Sequence, residues 1–168
     1  MLENHSQQQI IYKLMQELKP FLRGSIRWVR EEVWEQYSET IDYYRNPDRQ
    51  HHPGCVVIPP TSQNPTVVFI HGHSKPSHPS RYELPVKGLT SEEKVGYFTI
   101  NRRYPVPPHV AWTQTNVSKE NLRKSMLDDE EIEMLSVLET RYKTELIENS
   151  SSQSRLIFKN AHPNAVGK

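Results

Sequence analysis

The chain has one cysteine, Cys55, which excludes an internal disulfide framework and a zinc site built from cysteines. It has no apolar run near the about eighteen residues that would cross a bilayer, and no basic stretch followed by an apolar one at the N-terminus. A soluble cytoplasmic protein with no membrane partner is therefore expected. Glycine is scarce, six residues against thirteen prolines. Proline is disfavoured inside helices and central strands, so these counts argue against a mainly helical bundle. Neither sign of charge dominates: Lys and Arg number 21, Asp and Glu 20, and the net charge of +1 does not by itself select nucleic acid or membrane. At 168 residues with 35 % hydrophobic composition, the chain suits one domain with a modest core and long solvated connections.

Residues 6–19 read as a helix, opened by the capping pair Ser6 and Gln9, striped by Ile10, Ile11, Leu14, Met15 and Leu18, and stopped by Pro20. A short strand pattern follows over 24–29. Residues 31–45 return to helical spacing through Val33, Trp34, Tyr37, Ile41 and Tyr44, with Glu31, Glu32, Glu35, Glu39 and Asp42 on the other side. Strand patterns then come in quick succession over 55–58, 66–70, 82–86 and 97–100, separated by proline- and serine-rich loops. That spacing predicts an α+β, mainly β, fold: a small antiparallel barrel and not a βαβ array. Ser118 opens a short helix to residue 124. Asp128 and Glu131 form a second capping box before a helix carrying Ile132, Leu135, Leu138, Tyr142 and Leu146. Residues 149–154 read as a flexible linker, and 155–159 as an edge strand or loose tail. The expected organisation is an N-terminal helical extension (1–20), a barrel domain (21–148, with an insertion at 30–50) and a flexible tail (149–168).

The string Val67-Val68-Phe69-Ile70-His71-Gly72 looks like the oxyanion loop of an α/β-hydrolase, but there is no G-x-S-x-G elbow and no alternation of strands and helices. Six of the eight histidines fall between residues 51 and 109. Strand alternation puts His71 and His73 on one face, where His51 or His52 from a neighbouring strand could join them around zinc. Scattered surface histidines are the commoner explanation, so no metal or other cofactor is expected. The remaining use of imidazole is proton transfer near neutrality.

Read in order, the strands show a family pattern. Gly24-Ser25-Ile26-Arg27-Trp28-Val29 resembles the opening G-D-I-x-W-V strand of the PemK/MazF-like toxins, and His51-His52-Pro53-Gly54-Cys55-Val56-Val57-Ile58 their second strand, R-P-x-V-V-[IL]. Residues 66–75 followed by Tyr82-Glu83-Leu84-Pro85-Val86 are similar to the third strand, T-S-K turn and F-E-V-P-L strand. Residues 96–103 stand where the family has D-Q-x-R, and Leu127-Asp128-Asp129-Glu130-Glu131 is similar to its L-S-x-E-E helix start. The resemblance covers residues 24–146. It implies an SH3-like barrel, a homodimer, and metal-independent cleavage of single-stranded RNA by the toxin of a toxin–antitoxin pair, held in check by a cognate antitoxin. The related CcdB branch poisons gyrase, so a catalytically silent module that binds RNA, gyrase or another protein is the alternative.

The chain departs from the pattern where chemistry is done. His52 replaces the Arg before the proline and His73 the Thr of T-S-K, while Ser74 and Lys75 match; Asn101 stands at the acidic position, and Thr99 where one subgroup has Arg. His52 and His73 are thus the expected acid–base pair, with Ser74 as a hydrogen-bond donor. Lys75, Arg49, Arg102 and Arg103 are expected at the phosphate, and Tyr104 or Trp28 against an unpaired base. Arg102, Arg103, Lys119, Arg123 and Lys124 suggest a basic groove. The acidic 31–45 segment lies in the loop that covers the family's active site and is expected to act as a lid.

Overall fold

The computed structural model describes residues 21–39, 48–76, 82–116 and 122–161 together with Gln9, with side chains described as far as Gln153. The expected helix over 6–19 lies almost wholly outside these residues. The strands are β1 (Ile26–Arg30), β2 (His51–Ile58), β3 (Val67–His73), β4 (Glu83–Lys87), β5 (Val95–Val106) and the two-residue β6 (Thr115–Asn116). The helices are α1 (Glu31–Tyr37), α2 (Pro108–Gln114) and α3 (Asp129–Ala161). All strands pair antiparallel in one sheet of order β4-β5-β3-β2-β1-β6. The α+β, mainly antiparallel, expectation holds. Among the described residues β4 and β6 remain separate edges, and no pairing closes the sheet.

Both faces of the sheet are covered, so β2 is buried from His52 to Val57 without interruption. Alternate residues serve different cores. Ile26, Cys55, Val57, Ile70, Leu84, Phe98 and Ile100 face α3, packing with Leu135 and Leu138. Val29, Val56, Val67, Phe69, Tyr104 and Val106 face the other way, against Val33 and Trp34 of α1 and Ala111 of α2. Phe98 and Tyr104 are an even number of residues apart on one strand, yet they enter opposite cores. Between Ile70 and Gly72 on β3, the partner strand β5 runs from Arg103 back to Phe98. The surplus is three residues, an odd number, and it exchanges the faces of everything beyond it.

Helix α3 starts as its sequence predicts. Asp128 Oδ1 accepts from the Glu131 backbone N–H at 2.9 Å, and Glu131 Oε2 accepts from that of Asp128 at 3.0 Å. Glu139, 8 % exposed, binds the helix to the sheet by accepting from Arg23 at 2.8 Å and from Arg103 at 3.3 Å.

Three expectations change. The stretch 149–154 is helical, and so is 155–159: no Pro or Gly interrupts α3, and the Ser150 and Ser152 hydroxyls donate to the carbonyls of Leu146 and Glu148 without breaking the ladder. Leu122–Lys124 is not helical, and residues 117–121 lie outside the described set. A helix comes earlier instead, where Pro108 occupies the first turn of α2, a place that needs no N–H. Of the 31–45 segment, Glu31–Tyr37 is helix and 40–45 is not described.

Glu139→Ala leaves two guanidinium groups without their shared acceptor. Urea titration of this variant should show a loss of about 2 kcal/mol with an unchanged m-value.

Candidate active site

The histidines gather where β2 begins and β3 ends. His71 and His73, two apart on β3, share a face, with ring centroids 5.5 Å apart. Gly54 pairs with His71 across the ladder, which brings His52, two residues before it on the same face, to 4.7 Å from the His71 ring. His52 and His73 therefore flank one ring. His51 points the other way and stacks on Trp28, 12° from parallel at 6.3 Å.

Helix α1 lies over this cluster. Glu31 and Trp34, three apart and so on one helical face, have no solvent exposure. The Glu31 carboxylate meets His52 Nδ1. Trp34 packs edge-on against His71 at 4.8 Å and Tyr104 at 4.6 Å. Gly54 makes the room: a Cβ there would come within 2.7 Å of Trp34 Cη2.

His73 has its own anchors, with Thr99 Oγ1 at 2.7 Å and Glu83 Oε1 at 3.4 Å, both on Nε2. Burial lowers its pKa against the opposing pull of Glu83. Burial first, then His52, His73 and Arg102, hold His71 well below the ordinary imidazole value. His73 and His71 are thus neutral at pH 7. Cys55 is on the other face of β2, and burial pushes its thiol far up, so it supplies no nucleophile.

Beside the cluster opens a cleft of about 540 Å³, within the range of about 300–1,000 Å³ usual for small-molecule sites. Its wall includes His52, His73, Ser74, Lys75 and Arg49, the five expected site residues that the fold does bring together. Trp28, Tyr97 and Lys94 also line it. Arg49, Lys75 and Lys94 make no ion pair among the described residues, so three cationic side chains of the wall have no carboxylate partner there.

The other expected residues lie outside this wall. Tyr104 is 1 % exposed and is a core residue, unable to stack on a base. Arg103 is engaged by Glu139, and Arg102 is exposed outside the cleft. Arg123 pairs with Glu92 at 2.9 Å, and Lys124 pairs with Asp128 and Glu131, which neutralises that part of the expected basic groove. The lid expectation also needs correcting: Trp34 and Val33 are core side chains, so α1 cannot be removed without opening the core.

Sequence reasoning did not find Glu31, Trp34 or Glu83 as site residues, and it took Thr99 only as a departure. Glu31 was one of five acidic residues on a helix face, and only its spacing of three from Trp34 distinguishes it from Glu32 in the same first turn. No family model matches the chain, and no curated protein matches it.

Gly72, between the two histidines of β3, has Phe98 Cε1, Pro53 Cγ and the Pro53 carbonyl oxygen at 2.8, 2.9 and 3.0 Å from where a Cβ would stand. Backbone cannot give way as a side chain does, so Gly72→Ala should destabilise by about 1–3 kcal/mol. The tryptophan emission and the denaturation midpoint of this variant check it.

Proposed function

We propose that the chain is a PemK/MazF-like endoribonuclease that cleaves single-stranded RNA without a metal, acting in the cytoplasm as the homodimeric toxin of a toxin–antitoxin pair. The kinship of this open sheet to an SH3-like barrel belongs to this reading. The observation that carries it is the cleft in which His52 and His73 stand with Ser74, Lys75 and Arg49.

The chemistry follows from the anchors. His73 is occupied at Nε2 by Thr99 and Glu83, which leaves Nδ1 for a substrate; being neutral, the ring serves as the base. It takes the ribose 2′-hydroxyl proton as O2′ bonds to phosphorus. His52 is held at Nδ1 by Glu31, so Nε2 serves the cleft. It gives a proton to the departing O5′ as the P–O5′ bond breaks, and Glu31 is the counter-charge of the ring while it carries two protons. Products are a 2′,3′-cyclic phosphate and a 5′-hydroxyl. Lys75 and Arg49 bear on the charge of the crowded phosphorane, Ser74 donates a hydrogen bond, and Trp28 offers a face to a base.

Incubation of a synthetic single-stranded RNA in EDTA tests this. The wild type should cut it to cyclic-phosphate ends, and His52→Ala and His73→Ala should each slow cutting by about 100-fold or more. Lys75→Ala should weaken RNA binding and flatten its salt dependence. Binding without cutting by the wild type would make the cleft that of a silent RNA-binding module instead.

A further inference from the structure

Three side chains of the cluster are more than an arrangement for proton transfer. Glu31, His52 and His71 each offer a ligand atom, and these atoms all lie within 4.8 Å of one another. Ligands of a zinc ion stand about 2.0–2.2 Å from it, hence no more than about 4.4 Å from each other, so small side-chain rotations bring all three onto one ion. The donors come from α1, β2 and β3, and all three are buried. The set is two imidazoles and one carboxylate, suited to a borderline divalent ion of the zinc class; calcium and magnesium prefer oxygen ligands. Trp34 against His71 fixes the ring and closes the site from behind. His52, on the cleft wall, joins the site to the cleft. His73 is held apart by Thr99 and Glu83.

We infer that Glu31, His52 and His71 form a binding site for one zinc-class divalent ion, which enters through the cleft and, once bound, withdraws His52 from proton transfer. The ion is thus an inhibitor of the cleavage proposed above. Its binding does not rest on that reading; only the inhibition does.

The test uses the full chain, stripped with EDTA and dialysed, and titrated with cobalt(II) alone and then with zinc(II) alone. The expected result is one cobalt per chain, visible d–d absorption, quenching of tryptophan emission and displacement by zinc. Glu31→Gln and His71→Gln should weaken binding by more than about tenfold, while His109→Ala, an exposed change on α2, leaves it unchanged. Should either variant unfold by circular dichroism, the wild type decides: in long-range 1H–15N spectra zinc should move the ring signals of His52 and His71. No saturable binding, undiminished binding in the folded variants, or shifts confined to other histidines would overturn the site. In the RNA assay, zinc should slow cleavage and EDTA restore it. Binding at these residues by a protein that never cuts RNA keeps the site and removes the cleavage reading; cutting without any metal binding does the reverse.

Discussion

A carboxylate with no exposure to water must be met by hydrogen-bonding or positive groups, and in this molecule Glu31 has its place against His52. That contact sets much else. It locks the first turn of α1 to the start of β2, and so decides where Trp34 enters the sheet. Trp34 in turn requires the missing side chain of Gly54 and orients His71, whose ring separates the two histidines on the cleft wall. One buried ionisable contact thus joins the packing of the second core to the electrostatics of the cleft.

Much of this architecture is legible in the sequence, because it depends on local rules. The capping box at Asp128 and Glu131 appears as written, and the larger strands appear where β-branched and aromatic residues cluster, although β2, β4 and β5 run on through Pro53, Pro85 and Pro105. Alternation put His71 and His73 on one face, as found. What could not be read is whatever the surplus in β5 decides. Period-two reasoning assigns Tyr104 the same face as Phe98, and only the pairing with β3 shows the exchange that buries Tyr104 beneath Trp34. Glu31 was hidden for another reason: an acidic residue at the start of a helix is ordinarily explained by the helix dipole alone.

The departures from the toxin pattern gain a physical sense from their neighbours. Thr99, where one subgroup carries an arginine, holds His73 by its hydroxyl, and a guanidinium there would compete with that ring for Glu83. His52 stands at the other arginine position and faces Glu31. At position 52 a fixed positive charge gives way to a ring that can gain or lose a proton, and at position 99 to a hydroxyl that anchors such a ring; each ring has a carboxylate beside it. The same replacement makes the cluster a ligand set for a cation, which two arginines would repel. The proposed proton transfer and the inferred ion capture would draw on one side chain, His52, and would exclude each other.

The odd surplus in β5 makes the length of that strand a coded quantity. Loops commonly tolerate the loss of a residue, but dropping one from the stretch between Phe98 and Arg103 would leave an even surplus. Tyr104 and Val106 would then turn toward α3, and Arg103 and Pro105 would enter the space under Trp34. Only changes in pairs keep both cores supplied, so this bend admits insertions and deletions in steps of two.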